Sequence, residues 1–421
     1  MRRLFLLICA FLCLCSHTCA EIYAVNFDGG AVAIDETGSA VIPAGAYDRL
    51  FTLRNDEGML TGYAAGLASG SSYLYSVLNS EGIPLSDHVY SSVASAGEGC
   101  IVVQDGKYRY YSSAHKYDDI SFSAMAYGGD GMILAANGNI YDDIGDTISI
   151  LWADGISFRT GISILNGFGP MSEGLMPLYD ENTHLFGYIN NQGAWVIKPA
   201  FKYAAPFENG LAIIASETGY GVIDSNGNIM LTPNSTQLAR SGGIFAMIRG
   251  DALRVYDSEL TITAVMPLNG AEVNLTGDYI IISSVNSETV YDAYGTLLFS
   301  MPAGSHISSA GNGVFIIRSG PWNEASVYLA WLDGSALSQP CYSIYPLDSK
   351  NLAYALADEH GVLRYGIMTS DGTLITECIY NSIACITEGM YCADTETGAV
   401  ILDSDGMIMN TFKASHSEPQ N

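Results

Sequence analysis

Short apolar runs alternate along this chain with a turn phrase of the form Asp/Asn-x-x-Gly. The clearest copies are Asn190–Gly193 and Asp224–Gly227, and each lies between runs rich in aromatic and β-branched residues. In a hairpin, the Asp or Asn side chain caps the turn, and Gly adopts the positive φ that β-branched residues do not tolerate. The pattern therefore predicts pairs of short antiparallel strands joined by tight turns.

The phrase recurs from residue 33 to residue 406, so that roughly nine to eleven units fit between Glu21 and Phe412. No stretch of twelve residues keeps the apolar spacing of an amphipathic helix, and this indicates an all-β repeat fold. We expect the following residues to have structural roles in turns: Asn190, Gly193, Asp224, Gly227, Asp292, Gly295, Asp403 and Gly406.

Two architectures bury repeated units of this kind. Radial packing of four-stranded sheets gives a β-propeller, whereas linear stacking gives a β-solenoid. We expect propeller-like packing, because a meander of short strands suits propeller blades. A single ring usually has about four to eight blades, so nine to eleven units would overfill it unless some of them pair. Two packed propeller-like subdomains are therefore a further alternative.

The segments 186–233 and 365–406 resemble WG repeats. That family combines an aromatic-Gly pair, a Val/Ile-Asp-x-x-Gly turn, Ile-x-Pro and a Phe-x-x-Gly-Leu-Ala phrase. The aromatic-Gly pair falls on Phe186-Gly187, Tyr220-Gly221 and Tyr365-Gly366, although the Trp that names the family is absent at all three. The match is thin from Glu21 to Asn182. Because a repeat and not a reaction defines the family, the resemblance implies a β-repeat fold and no catalytic residue.

The first twenty residues have the three parts of a secretory signal peptide. A basic start at Arg2 and Arg3 precedes an apolar run of about twelve residues, too short for the roughly twenty that cross a membrane. Thr18 and Ala20 fit cleavage before Glu21. A lipoprotein is the alternative, because Cys15 and Cys19 lie near the cleavage zone. We divide the chain into a signal peptide (1–20), a degenerate β-repeat region (21–182), a WG-type region (183–413) and a polar tail (414–421).

The charge balance limits the classes of partner. The chain has 17 basic and 44 acidic side chains, which gives a formal charge of −27, so its surface repels nucleic acid and anionic lipid. Because 48% of the residues are hydrophobic, a disordered acidic chain is excluded. No later apolar run is long enough for a transmembrane helix. We expect a monomeric globular protein that is secreted or associated with the cell surface.

Five cysteines remain after the predicted cleavage, and an odd number argues against a disulfide framework. Cys378, Cys385 and Cys392 are evenly spaced, but zinc ligands usually lie closer together in sequence. We expect these thiols to be buried small side chains. One disulfide among the three is the alternative. Cys100 and Cys341 complete the set.

The sequence has no catalytic motif that its surroundings support. Ser113 and Lys116 have the Ser-x-x-Lys spacing, but they lie in a strand-like context without the partner motif. The histidines do not pair at metal spacing. The acidic groups at 118–119, 142–143 and 180–182 predict turn caps, with calcium binding as the alternative. We therefore expect no catalytic residue, no metal site and no cofactor.

Tyrosines and tryptophans are the remaining residues that could form a binding surface. Tyr108, Tyr110 and Tyr111 alternate along one strand, and exposed aromatic residues of this kind bind sugars or proteins. The simpler interpretation is that they fill gaps between sheets. The sequence favours an exported, non-catalytic scaffold that binds a protein, peptide or glycan. The alternative is a hydrolase of envelope or dietary polymers with carboxylates in an axial pocket.

Overall fold

The computed structural model describes residues 21–27, 30–112, 121–129, 132–137, 147–152, 155–160, 169–180, 182–320, 326–336 and 340–414. Within these ranges the chain forms strands and turns and no helix, so the expected all-β class is confirmed. The strands form eleven antiparallel sheets, which we number in chain order.

Sheets 1 to 4 contain β1 (Ile22–Phe27), β2 (Gly30–Asp35) and β3 (Ala40–Tyr47); β4 (Arg49–Arg54), β5 (Leu60–Ser69) and β6 (Ser72–Asn79); β7 (Ser92–Ala96), β8 (Gly99–Gln104) and β9 (Lys107–Ser112); and β10 (Ala124–Gly129), β11 (Met132–Asn137), β12 (Thr147–Trp152) and β13 (Gly155–Thr160). Sheets 5 to 7 contain β14 (Leu175–Asp180), β15 (Leu185–Asn190) and β16 (Trp195–Phe201); β17 (Tyr203–Ala204), β18 (Leu211–Ser216), β19 (Gly219–Asp224) and β20 (Ile229–Ser235); and β21 (Gln237–Ser241), β22 (Ile244–Arg249), β23 (Ala252–Tyr256) and β24 (Ile262–Pro267). Sheets 8 to 11 contain β25 (Glu272–Thr276), β26 (Tyr279–Ser283), β27 (Ser287–Tyr291) and β28 (Leu297–Pro302); β29 (His306–Gly311), β30 (Val314–Ser319) and β31 (Ser326–Trp331); β32 (Ser343–Pro346), β33 (Asn351–Ala357) and β34 (Leu363–Thr369); and β35 (Ser382–Thr387), β36 (Met390–Thr395), β37 (Gly398–Asp403) and β38 (Ile408–Lys413).

Each sheet is a meander of strands that pair in sequence order. In the complete sheets, such as sheet 11, the second and third strands are buried on both faces, whereas the first and fourth are partly exposed. Several three-stranded sheets have an irregular segment in the fourth place. In sheet 2 this segment bridges through Tyr90 to Tyr75, and in sheet 10 it bridges through Tyr380 to Tyr365.

Neighbouring sheets pack face to face through apolar side chains. Between sheets 5 and 6, Tyr188 and Ile197 form one buried cluster with Phe207 and Ile214. Similar clusters join sheets 1 through 4 and sheets 6 through 11 in sequence. Sheets 4 and 5 meet where the N–H of Met171 donates to a sheet 4 carbonyl.

The last sheet packs against the first and closes a ring. Val25 and Phe27 of sheet 1 share a buried cluster with Cys392 and Phe412 of sheet 11. The rings of Phe27 and Phe412 stack at 6.4 Å, and the Asn410 side chain donates to the carbonyl of Gly38 at 2.9 Å. The expected propeller-like packing is therefore confirmed, and a linear solenoid is excluded because its ends would not meet.

The ring holds more sheets than expected for a single propeller. Eleven sheets spaced evenly around one ring would be rotated by about 33° from their neighbours, compared with about 45° or more in rings of four to eight blades. First strands such as β7, β21 and β25 have mostly exposed or partly exposed side chains. Residue 182, where repeat quality changes, lies in the turn between β14 and β15. The division into two repeat regions at this point stays a prediction.

One sequence repeat spans two sheets. The phrase that begins at Phe186 runs through the last two strands of sheet 5 and the first two of sheet 6. The Gly of its aromatic-Gly pair lies where the fourth strand crosses close to the third. A Cβ on Gly187 would lie 2.6 Å from the carbonyl oxygen of Ile197, and one on Gly221 would lie 2.4 Å from that of Leu231. The strand register shifts at both places, so glycine is needed there for close approach.

The Asp/Asn-x-x-Gly turns define one face of the ring, which we call the Asx face. They join the third and fourth strands of sheets such as 5, 6, 8 and 11. Because strand direction alternates in an antiparallel sheet, the turns between first and second strands lie on the same face. The opposite face carries the turns between second and third strands.

Candidate functional site

Asp224 and Gly227 show how the predicted turn residues are arranged. Asp224 Oδ1 accepts the N–H groups of Asn226 and Asn228 at 2.9 and 2.8 Å, and its carbonyl accepts the Gly227 N–H at 2.9 Å. Gly227 has a φ of +83°, a conformation that favours glycine. The same arrangement occurs at Asn190 with Gly193, Asp292 with Gly295, and Asp403 with Gly406.

These turn hydrogen bonds stabilise the ionised carboxylates. The side-chain amide of Asn228, followed by the turn N–H groups, holds the pKa of Asp224 below its usual value of 3.8. The Thr37 hydroxyl does the same for the pKa of Asp35. Oδ1 of each of these carboxylates is therefore occupied by the turn that it caps.

Calcium binding was the alternative for three acidic groups, and of these only the group at 180–182 falls in the described part of the chain, through Asp180 and Asn182. Asp180 accepts the hydroxyl of Thr183 at 2.7 Å and the side chain of Asn182 at 3.3 Å, so it caps its own turn. The groups at 118–119 and 142–143 lie outside the described residues, as do Ser113 and Lys116. Within the described ranges, no three His, Cys, Asp or Glu residues cluster with metal-binding geometry.

A polar network with two buried members joins sheets 10 and 11. The Asp348 carboxylate accepts the Tyr391 hydroxyl and, at 3.0 Å, the N–H of Gly389. Asn351 donates to the Tyr391 oxygen at 2.8 Å and to the carbonyl of Ser404 at 3.1 Å. Tyr391 and Asn351 are buried. Because all its members bond one another, the network holds two sheets in register.

The charge state of this network follows from its hydrogen bonds. Burial raises the pKa of Asp348, but the Tyr391 hydroxyl and three backbone N–H groups lower it more, so the net pKa lies below 3.8. Burial, together with the hydrogen bond to Asp348, raises the pKa of Tyr391. At neutral pH the pair is therefore a carboxylate and a neutral phenol, which is a stable arrangement without a proton to transfer.

Sequence reasoning did not identify this network. Asp348 and Asn351 lie in an ordinary turn segment between two apolar runs, and Tyr391 follows 43 residues after Asp348. Only the Asp-x-x-Asn spacing was visible, and it resembles any other capped turn. The distant tyrosine could not be found without the packing of two sheets.

Cys385 lies beside this network and is the most exposed thiol among the described cysteines. Burial, then the charges of Asp348 and Glu388, raise the pKa of its thiol. A nucleophilic cysteine needs a lowered pKa, so this environment disfavours that role. The expectation that Cys385 is buried is wrong, because β35 is a first strand with one open edge.

The other thiols lie between sheets. Burial raises the pKa of Cys100 and of Cys392 to about 12, and that of Cys341 to about 11. Cys378 is half-buried between sheets 9 and 10, whereas Cys392 lies between sheets 11 and 1. All five thiols are free, and the three evenly spaced cysteines lie in three different environments.

The aromatic residues singled out in the sequence mainly fill space between sheets. Tyr111 packs between sheets 2 and 3, and Tyr108 and Tyr110 pack between sheets 3 and 4. Trp331 packs between sheets 9 and 10, and its indole N–H donates to the carbonyl of Ser370 at 3.2 Å. Trp322 lies outside the described residues.

Large apolar side chains are exposed at the turns of the Asx face. Tyr294, inside the Asp292–Gly295 turn, is 74% exposed. Similar exposure occurs at Met59, Ile83, Leu332 and Met407. Because the backbone of each turn is fixed by its own hydrogen bonds, these side chains project from rigid positions. They form a candidate contact surface.

A family described as the WG containing repeat matches residues 186–215 and 365–394. Each match covers the third and fourth strand positions of one sheet and the first two strands of the next. The resemblance seen in the sequence is confirmed at these two places. No curated protein matches the chain.

Solved structures of low similarity also match. A structure described as the eukaryotic initiation factor has a TM-score of 0.42 and 10% identity, over 94% of this chain and 96% of that one. AztD from Citrobacter koseri has a TM-score of 0.31 and 11% identity, over 75% and 93%. Kluyveromyces lactis Hsv2p has a TM-score of 0.31 and 10% identity, over 57% and 94%.

Proposed function

Because this chain contains WG repeats in a ring of β-sheets, we propose that it is an exported, non-catalytic scaffold that binds a protein, peptide or glycan. The observation that carries this proposal is the Asx face. Its turns have backbones fixed by hydrogen bonds, and they present exposed side chains such as Tyr294 and Met407. Rigid turns with variable tips are a common way to build a binding surface on a β scaffold.

The hydrogen bonds of the carboxyl groups support a non-catalytic role. Within the described ranges, every Asp whose pKa is displaced has it lowered, including Asp35, Asp224 and Asp348. A glycosidase of the usual kind needs one carboxylic acid with a raised pKa to protonate the leaving group. These carboxylates instead cap turns or join sheets.

Support for export comes from the amino-acid sequence. The basic start, the short apolar run and the small residues before Glu21 favour cleavage at that point. No helix in the described part of the chain has the length and apolar character to span a membrane. We expect the protein to be secreted or held at the surface by non-covalent contacts.

Site-specific photocrosslinking tests the scaffold role. A photoreactive residue placed at Tyr294 is compared with one at Val285, which is 92% exposed but lies in the β26–β27 turn on the opposite face. The mature chain is incubated with envelope proteins and glycans from its source. We expect one defined adduct from position 294 and none from 285.

Equal adducts at both positions would contradict the assignment of the Asx face. The enzyme alternative is tested on the same material by incubation with envelope and dietary polysaccharides. Release of reducing ends that is lost on substitution of a single carboxylate would overturn the non-catalytic role.

A further inference from the structure

Among the described residues, sheet 1 has no first strand of the kind that nine other sheets have. Its two hairpin strands match the second and third strands of sheet 11, because Ile22 pairs with Asp35 as Met390 pairs with Asp403. The turn that follows is the third-to-fourth turn in both sheets. β1 therefore occupies the place of a second strand.

The inner edge of β1 has no strand partner among the described residues. In nine other sheets the second strand pairs with a first strand, as β36 does with β35. In sheet 5 a short segment takes that place, where Ser172 bridges to Leu175. Four residues of β36 are buried, whereas β1 has only two, Val25 and Phe27.

A cavity of about 440 Å³ lies along β1, on the side where a first strand would pair. One wall is β1 itself, from Tyr23 to Asn26. The flanking walls are Thr52 and Arg54 of β4, and Ala384–Ile386 of β35. β4 and β35 are the first strands of the two neighbouring sheets. We call this cavity the strand slot.

The backbone of β1 presents hydrogen-bonding groups to the strand slot. In sheet 11, Asn381, just before β35, donates its N–H to the carbonyl of Asp394 at 2.8 Å, so alternate residues of β36 face the first strand. The matching residues of β1 are Ile22, Ala24 and Asn26. The carbonyl of Ile22 already accepts the Arg54 guanidinium, which leaves Ala24 and Asn26 to pair with an added strand.

The walls of the strand slot are fixed before any strand is added. The Asn26 side chain donates to the carbonyl of Leu50 and accepts its N–H, both at 2.8 Å, and this bidentate contact ties β1 to β4. An added strand would therefore meet a preformed edge, which lowers the cost of ordering it.

Sheets that have a first strand indicate which kind of side chain the strand slot would bind. In sheet 11, Ile383 of the first strand is buried in one cluster with Leu347 and Ala353 of sheet 10. The residues at the matching positions for sheet 1 are Ile386 and Cys392, and both line the strand slot. A Val, Leu or Ile side chain at the second residue of an added strand would pack there.

We propose that the strand slot binds an extended peptide segment of a partner protein by β-strand addition to β1. This inference rests on the proposed scaffold function and names its partner class. Backbone groups of Ala24 and Asn26 supply the pairing, and one apolar side chain enters the pocket formed by Ile386 and Cys392. An unpaired strand edge is what this mode of recognition uses, and Ile386 and Cys392 supply an apolar part of an otherwise largely polar lining.

Two segments of the chain itself are weaker candidates. Residues 14–19 have the spacing of a first strand before β1, but the proposed cleavage before Glu21 removes them. Residues 415–421 follow β38, but they contain no apolar side chain except Pro419, which lacks an N–H. A partner segment satisfies both the backbone and the side-chain requirement.

A labelled peptide that copies residues 91–97 tests the proposal, because β7 is a first strand with Val93 at its second position. Binding to the chain that begins at Glu21 is measured by fluorescence anisotropy. We expect saturable binding, weakened at least tenfold when the peptide carries Val93→Asp. A chain that retains residues 14–20 should bind the peptide at least tenfold more weakly.

Two matched proline variants separate binding from folding. Ala24→Pro removes an N–H that faces the strand slot, and an edge position tolerates proline. We expect an unchanged melting temperature and at least a tenfold loss of peptide affinity. Cys392→Pro, at the matching position of β36, should lower the melting temperature, because β35 already pairs there.

Three results would overturn the proposal. The first is the absence of peptide binding, and the second is equal affinity for Ala24→Pro. The third is equal destabilisation by the two proline variants, which would mean that another segment of the chain already fills the strand slot. Protection of residues 415–421 from hydrogen exchange would identify the tail as that segment. Crosslinking at Tyr294 can succeed when peptide binding fails, so failure here leaves the scaffold function separately testable.

Discussion

Gly406 and Gly361 form a pair that separates backbone strain from side-chain crowding. Both close Asp-x-x-Gly turns, with φ of +76° and +77°. A Cβ on Gly361 would meet nothing within 4 Å, whereas one on Gly406 would lie 2.5 Å from Thr376 Cγ2. Thr376 cannot rotate away freely, because its hydroxyl accepts the N–H of Ile367 at 2.9 Å.

These distances give different expected costs for alanine. An alanine forced to positive φ costs about 1 kcal/mol, and this applies to Gly361→Ala and Gly406→Ala alike. Crowding of a packed position adds roughly 1–3 kcal/mol, and this applies to Gly406→Ala alone. We expect losses of unfolding free energy of about 1 kcal/mol for Gly361→Ala and about 2–4 kcal/mol for Gly406→Ala.

Urea denaturation followed by far-UV circular dichroism measures both variants against the parent chain. Equal losses would refute the crowding at Gly406, and no loss in either would refute the strain at positive φ. Gly227→Val extends the test to a β-branched side chain, because a Cβ there would meet Ile197 at an ordinary 3.5 Å and the main cost is that of the positive φ. Asn226→Ser should be nearly silent, since residue 226 holds the turn through its backbone N–H, which serine keeps.

Three further outcomes are expected. N-terminal sequencing of secreted material should begin at Glu21; a start before residue 15 or an uncleaved chain would contradict the leader. Folding lowers the pKa of Asp348 below its usual value of 3.8. The ionised carboxylate therefore stabilises the fold above about pH 3.8, and this stability is lost as the pH falls through the folded pKa. Urea midpoints of the parent chain should therefore fall more steeply below about pH 4 than those of Asp348→Asn. A thiol reagent at neutral pH should modify Cys385 before Cys392, which is buried.

Two of these tests have internal controls. For the pH series, Asp405→Asn is a suitable comparison, because Asp405 is exposed and its side chain caps no turn. If the urea midpoints of all three chains fell equally steeply with pH, Asp348 would not have the stabilising role assigned to it. For the thiols, mass spectrometry identifies which cysteine is labelled first. Earlier labelling of Cys392 would mean that sheets 11 and 1 separate readily.

The hydrogen bonds within a turn of this chain can be predicted from its sequence, whereas contacts between sheets cannot. The turn from Asp224 to Gly227 depends on side chains within four residues of each other, so its hydrogen bonds follow from the phrase itself. The aromatic-Gly pair at Phe186 likewise marked a real crossing of strands. Both signals lie within one hairpin.

The limits of the sequence concern contacts between sheets. Asp348 and Tyr391 meet only because two sheets pack, and the repeat phrase has no residue that specifies this pair. That the described part of sheet 1 has no first strand could not be predicted either, because each sequence repeat starts in one sheet and ends in the next. The described residues form eleven sheets, at the upper end of the nine to eleven units expected from the sequence.

Because sheet 11 packs on sheet 1, the ring can close only after the last strands of the chain are available. Until residues 382–413 are available, the apolar face of sheet 1 that carries Val25 and Phe27 has no neighbour. In an open repeat array, folding can start anywhere and spread, and shortened arrays persist. Here, a shortened chain would expose two apolar faces at once. A chain synthesised from its N-terminus would therefore stay unclosed until its last strands are available.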